Sequence, residues 1–90
     1  MTGGKEERVN RLGDCIRGNV KAMGMTLHGL SRVAKVNKDH LYAICKGQCR
    51  MKAEEAIRVA AVFGLQPVQL LYIQADDELA NCFAGERRER

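Results

Sequence analysis

Apolar residues recur every three or four positions along most of the chain, which is the spacing of amphipathic helices. The pattern predicts four helices, over residues 6–23, 27–35, 38–46 and 52–63. Thr26 and Asn37 are good N-caps for the second and third helices, and Gly47 and Gly64 end the third and fourth. The predicted inward-facing residues are Val9, Leu12, Ile16, Val20, Met23, Leu27, Leu30, Val33, Ala34, Leu41, Ile44, Ala53, Ala56, Ile57, Ala60 and Phe63.

Two further short helices are predicted in the C-terminal part of the chain. Pro67 suits the first turn of a fifth helix over residues 68–74, and Asp76 can cap a last helix. Folding this last helix back on the core and using it as an interface between two copies both remain open. The apolar residues predicted for that dimer interface are Leu71, Tyr72, Ile73, Leu79, Cys82 and Phe83.

Length and composition favour one helical domain. Ninety residues supply apolar material for a single core, and only 4% of them are aromatic, which favours helix packing over a sheet. The expected fold is therefore all-α, a bundle of five to six helices. The expected divisions are a disordered N terminus over residues 1–5, the domain over 6–75, and a C-terminal helix and tail over 76–90.

Positive charge is concentrated in the body of the chain. Residues 1–75 carry 12 Lys and Arg against 6 Asp and Glu, whereas residues 76–90 carry 3 against 5. A basic body suits a polyanionic partner, although a solvated charged face would give the same count. The polar start and the lack of a long apolar run predict a cytoplasmic protein with no membrane partner and reduced cysteines.

Metal and catalytic chemistry are not expected. His40, Cys45 and Cys49 are close in sequence, but the chain has no Cys-x-x-Cys pair, so neither a metal nor another cofactor is predicted. No phosphate-binding glycine loop or nucleophile setting accompanies the histidines, so no enzyme is predicted. Adjacent Glu54 and Glu55 diverge on a helix and are interpreted as a solvated first turn. Cys49 is interpreted as an inert surface thiol rather than an oxidisable one.

Residues 26–47 carry the functional signal. They predict two short helices separated by about three residues, the second with a polar outer face over Leu41 and Ile44. A short helix of this kind, braced by the helix before it, fits the major groove of DNA.

The chain from residue 20 to 71 resembles the DNA-binding domain of the Cro/CI/Xre repressor family. The resemblance implies a lambda-repressor-like helix-turn-helix domain that binds operator DNA as a homodimeric repressor. It is carried by Met23-Gly24-Met25-Thr26, Leu30-Ser31, Val36-Asn37, Leu41, Ile44, Gly47, Ala56-Ile57, Ala60, Phe63-Gly64-Leu65 and Leu70-Leu71.

The resemblance also assigns roles to individual residues. Base reading is implied for the outer face of the third helix, namely Lys38, Asp39, Tyr42 and Ala43, although Lys38 is alternatively an ordinary exposed residue. Contacts to the DNA backbone are implied for Thr26, Leu27, His40, Lys46, Gln48, Arg50 and Lys52.

The chain departs from the family pattern in three ways. Lys35 stands where the turn often has Gly, so the turn either differs or places Lys35 in a left-handed conformation. Ser31 replaces the usual Ala and is nearly as small. Val20 and Cys45 stand where many members pair Arg with Glu, which is an apolar replacement compatible with the fold.

A weaker similarity links the C-terminal half to HigA-type antitoxins. It rests on residues 56–60, Phe63-Gly64, Leu70-Leu71 and Gln74. It implies the alternative function of an antitoxin that binds a protein toxin and regulates its own promoter. The two partners expected first remain double-stranded DNA and a second copy of the chain.

Overall fold

The protein is described by a computed structural model that covers residues 9–88, with side chains described up to residue 82. Within this part the chain is all-helical, as the sequence predicted, with five helices and no strand. The predicted disordered segment, residues 1–5, lies outside the described residues. The helices are α1 (Arg11–Ala22), α2 (Leu27–Ala34), α3 (Lys38–Cys45), α4 (Ala53–Phe63) and α5 (Pro67–Arg88).

Short polar side chains start the first three helices. Asn10 accepts a hydrogen bond from the amide of Gly13, Thr26 from that of Gly29, and Asn37 from that of His40. Residues 9 and 10 are not helical, so the predicted start of α1 at residue 6 is wrong. The side chain of Asn10 accepts a hydrogen bond from a first-turn amide and so caps the helix. The helix therefore begins at the next residue, Arg11.

The predicted break near residue 75 is also wrong, since α5 is one helix from Pro67 to Arg88. Asp76 therefore lies inside a helix and caps nothing. Two polar residues beside the predicted boundary, Gln74 and Asp77, are buried against neighbouring segments while the helix continues.

Every helix contributes to a single core. Five predicted core residues do not reach it, among them Val33, which is 61% exposed, and Ile57, which is 56% exposed. In α2 the buried residues are Leu30, Ser31 and Ala34, so Val33 faces solvent. Val9, Met23 and Ala53 are exposed as well. The largest fully buried side chains are Ile16, Leu30, Leu41, Ile44, Met51, Val59 and Leu70.

The positions that depart from the family pattern are all accommodated. Lys35 ends α2 in the left-handed conformation, at φ 60° and ψ 44°. Arg58 donates to its carbonyl oxygen over 3.2 Å, which supports a conformation that is rare for a side chain larger than Gly. Ser31 is buried and its hydroxyl donates to the carbonyl of His28. Val20 and Cys45 are both buried, as an apolar replacement requires.

Candidate functional site

Helix α3 is held against α1 by a close backbone approach. A Cβ atom on Gly13 would overlap with the carbonyl oxygen of Cys45, so only glycine permits this contact. Leu41 and Ile44 lie on the same inner face of α3 and are fully buried. The outer face is therefore presented from a rigid support.

The C-terminal end of α3 receives two side-chain donors. Asn10 donates to the carbonyl oxygen of Cys45 over 2.8 Å, and so does Arg17. Arg17 also contacts Asp14 in an exposed ion pair at 3.0 Å. Because carbonyls in the last turn of a helix lack intrahelical partners, these bonds stabilise the end of α3. They also fix its orientation relative to α1.

The outer face of α3 and the start of α2 form a shallow surface that we call the α3 groove. It brings together all four residues predicted to read bases and two of those predicted to contact the DNA backbone. It is lined by His28, Lys38, Asp39, Tyr42, Ala43, Lys46 and Gln48.

The charges of the α3 groove favour an anionic ligand. Lys38 and Lys46 are exposed, and neither forms an ion pair with a carboxylate among the described side chains. Asp39 is the one acidic group that lines the groove. Tyr42 is 39% exposed, so its ring and hydroxyl are accessible to a partner.

The remaining predicted backbone contacts lie around this groove in different settings. Thr26 uses its hydroxyl to cap α2, and Leu27 packs partly against the core. Lys52 is exposed at the N-cap of α4. Arg50 does not line the α3 groove; its guanidinium is held by Glu78 of α5 at 2.5 Å. That contact raises the pKa of Arg50, through the hydrogen bond and the charge of Glu78.

His40 is held by α4. Its Nε2 lies 2.8 Å from a carboxylate oxygen of Glu55, and the other oxygen of Glu55 accepts the amide of Lys52 over 2.7 Å. Glu55 is therefore half-buried, and its interpretation as a solvated residue is wrong. The pair links the outer side of α3 to the start of α4.

A second set of polar residues, on α5, was not predicted from the sequence to make contacts within the chain. We call Gln74, Asp77, Glu78 and Asn81 the polar face of α5. Gln74 makes two hydrogen bonds to the backbone of Met51, at 2.6 and 2.9 Å. The three- and four-residue spacing of these polar side chains is a helical signal that could have revealed the face.

The rest of the polar face secures the start of the described chain. Asp77 accepts the amide of Leu12 at 2.9 Å and the guanidinium of Arg11 at 3.2 Å. Asn81 pairs with the backbone of Val9 in both directions, at 2.8 and 3.0 Å. These contacts join α5 to the N-terminal segment, just as Gln74 joins it to the loop after α3.

The residues predicted for a dimer interface divide into two groups. Tyr72, Leu79 and Cys82 are exposed. Leu71 and Ile73 pack partly against the core of the same chain. The side chain of Phe83 lies outside the described part.

The cysteines differ in burial. Cys49 and Cys82 are exposed, whereas Cys15 is partly and Cys45 fully buried. Burial raises the pKa of both Cys15 and Cys45. Among the side chains that the structure describes, no three His, Cys, Asp or Glu residues are grouped so that they could hold a metal ion.

Comparisons with protein-family models, with curated proteins and with solved structures give no match. Over residues 9–88, no helix has the length and apolar character needed to cross a membrane. Function is therefore inferred from the chain's own residues.

Proposed function

We propose that the chain is a sequence-specific, double-stranded DNA-binding repressor that reads its operator with α3. The observation that carries this proposal is the α3 groove, in which unpaired lysines and hydrogen-bonding side chains line the outer face of a short, rigidly braced helix. Helices presented in this way fit the major groove, where base edges differ in their donors and acceptors.

Base reading falls to the outer face of α3. Lys38 donates to guanine O6 and N7, and Asp39 accepts from cytosine N4. Ala43 contacts a thymine methyl group, and Tyr42 reaches a base or a phosphate beside it. This arrangement explains why one carboxylate is present in an otherwise cationic groove, since a purely phosphate-binding surface gains nothing from Asp39.

Phosphate contacts flank this reading surface. The N-terminal end of α2, which Thr26 caps, carries the positive end of the helix dipole and can receive a phosphate, while Lys46 and Gln48 follow the C-terminal end of α3. Two copies of the chain, bound one DNA turn apart, read an inverted repeat. Occupation of such a site at a promoter excludes polymerase, which makes the chain a repressor.

The proposal is tested by selecting binding sites from a random-sequence duplex library at near-physiological salt. We expect one enriched inverted repeat. Lys38→Ala should lower affinity for that repeat by about 1–3 kcal/mol and relax one position in each half-site. Lys21→Ala, which removes another exposed lysine, from α1, should leave the selected sequence unchanged.

Two results would contradict the proposal. Salt-sensitive retention without any enriched sequence would leave only general polyanion binding. Equal effects of the two lysine substitutions would show that Lys38 acts through charge alone. In either case binding of a protein toxin would become the leading function.

A further inference from the structure

A shallow groove lies between the C-terminal end of α2 and the side of α4, and the proposed reading of DNA does not use it. We call it the α2–α4 groove. It is lined by Val33, Ala34, Lys35, Arg58, Ala61 and Val62. None of these residues lines the α3 groove, so a ligand bound here does not compete for the side chains that are proposed to contact DNA.

Most of the α2–α4 groove is apolar. Val33 and Ala61 are exposed, whereas Val62 packs partly against the core and Ala34 is buried. Because Val33 contributes little to the core of its own chain, its apolar surface is available to a partner. Exposed aliphatic side chains gathered in a groove between two helices are typical of protein interaction sites.

The polar residues of the α2–α4 groove are both cationic. Arg58 donates to the carbonyl oxygen of Lys35 over 3.2 Å, so its guanidinium lies beside the end of α2. The ammonium group of Lys35 forms no ion pair with a carboxylate among the described side chains. Arg58 contacts Glu54 in an exposed pair on the same helix, and such pairs are weak enough to exchange for another anion. The groove therefore combines positive charge with apolar surface.

The backbone at Lys35 is a second indication that this position serves a partner. Its φ of 60° is a conformation that glycine adopts freely and that is costly for a lysine. Among the residues that the structure describes, Lys35 is the one non-glycine residue with a positive φ. Strained residues of this kind cluster at functional sites. A lysine here supplies a charge beside the groove at the expense of backbone strain.

We propose that the α2–α4 groove binds an acidic amphipathic helix of another protein. An aliphatic side chain of that helix packs between Val33 and Val62, and a carboxylate one turn away contacts Lys35 and Arg58. The groove lies outside the α3 groove, so the inference does not depend on the proposed reading of DNA and its measurements use no operator.

The composition of the groove favours this occupant over two others. Nucleic acid matches the cations, but interfaces with nucleic acid are more polar, and a phosphate backbone gives Val33 and Ala61 nothing to pack against. A second copy of the chain is poorly matched in charge. Residues 1–75 carry 12 Lys and Arg against 6 Asp and Glu, and like charges across an interface repel.

The first measurement is selection from a phage-displayed library of helical peptides in which one face is varied, with the full chain as the target. We expect enriched peptides to carry Asp or Glu three or four residues from Leu or Ile. One such peptide, titrated into the labelled chain, should shift the amide resonances of Val33, Lys35 and Ala61. Absence of enrichment, enrichment of peptides without acidic residues, or shifts confined to other helices would overturn the proposal.

The second measurement is the affinity of that peptide for variants whose folding is verified by circular dichroism. Val33→Ser should weaken binding about tenfold, and Lys35→Asn about fivefold with a flatter dependence on salt. Asn tolerates the left-handed conformation, so Lys35→Asn keeps the turn. Val68→Ser and Lys21→Asn, which change an exposed valine of α5 and an exposed lysine of α1, should leave the affinity unchanged. Equal losses in the variants and their controls would contradict the proposed site.

Two further experiments test the choice of occupant. Random-sequence duplex DNA at near-physiological salt should not displace the peptide, and sedimentation equilibrium should give the same oligomeric state for Val33→Ser and the wild type. Displacement by DNA would make the groove a nucleic-acid surface. Loss of self-association in Val33→Ser would assign the groove to a second copy. Either result would overturn the proposal.

Discussion

Helices α3 and α5 bury different kinds of side chain. Helix α3 buries Leu41 and Ile44 and leaves its charged residues in solvent, whereas α5 buries Gln74 and Asp77 beside Leu70 and leaves Tyr72 exposed. The difference follows from what each helix covers. Helix α3 packs on side chains of the core, while the polar face of α5 covers the first turn of α1 and the loop before α4, where backbone amides and carbonyls need partners.

This contrast separates two kinds of mutational effect. Substitutions on the polar face of α5 should lower stability, because they strip partners from buried backbone groups. Substitutions in the α3 groove should lower DNA affinity at constant stability, because those side chains contact little within the chain. Each prediction below tests one side of that contrast.

The largest effect is expected for Gln74→Leu. The substitution removes both hydrogen bonds to Met51, a residue that is 1% exposed, and leaves its amide and carbonyl buried without partners. Unsatisfied buried groups cost about 1–3 kcal/mol each, so the free energy of unfolding should fall by about 2–6 kcal/mol. Urea denaturation measures this fall.

The matched control is Gln66→Leu, which changes an exposed glutamine just before α5 in the same way. Surface substitutions of this kind usually change stability by about 0.5 kcal/mol or less. Equal losses in the two variants would show that the inward polar face contributes no more than the surface does.

A smaller effect is expected for Glu78→Gln. Glu78 links the polar face of α5 to Arg50, in the loop after α3. Glu78 holds the guanidinium of Arg50, a predicted contact to the DNA backbone, away from the α3 groove. Without that carboxylate Arg50 is free to bind a phosphate. We expect DNA affinity to rise several-fold and the dependence of log affinity on log salt to steepen by about one.

Glu54→Gln provides the control for this prediction. It removes the same charge and frees Arg58 from an exposed ion pair on α4, but Arg58 is not among the predicted DNA contacts. The salt dependence should therefore steepen in Glu78→Gln and not in Glu54→Gln. An identical response of both variants would mean that only the net charge matters, and that Glu78 does not restrain Arg50.

The sequence predicted well wherever local signals decide the structure. Four helices and the capping roles of Thr26 and Asn37 follow from spacing and cap chemistry. The backbone conformation at the Lys35 turn could not be decided from the sequence. It is supported by a contact from Arg58, which no local pattern reveals. Periodicity therefore identified the α3 groove but could not place Arg50, whose position depends on a residue 28 places away.

Helix α5 shows why the rest could not be predicted. Gln74 and Asp77 look like surface or boundary residues, because their burial depends on the backbone of distant segments. The predictions for Val33 and Ile57 were wrong in the opposite sense. Spacing places both residues near an apolar face, but the helix contacts turn them outward. In both cases tertiary packing overrides a correct local pattern.

The smallest effects concern two cysteines, one on α3 and one on α5. Cys45 lies on the inner face of α3 and is 1% exposed, whereas Cys82 lies on α5 and is exposed. Labelling by a thiol reagent should reach Cys45 only when the chain unfolds. Cys82 should instead be labelled in the folded chain as well. Mass spectrometry of the labelled peptides measures both rates.

The same burial predicts a modest loss of stability at alkaline pH. Burial raises the pKa of Cys45 above its ordinary value of 9.0, and the charge of Arg17 offsets this only in part. The thiol of Cys45 makes its full contribution to stability below the pKa that it has in the unfolded chain. The contribution is lost as pH rises above that pKa, because the thiol then releases its proton in the unfolded chain while the buried thiol keeps it. Cys45→Ala should lose less stability between neutral and alkaline pH than the wild type. An equal alkaline loss in both would show that the Cys45 thiol does not contribute to it.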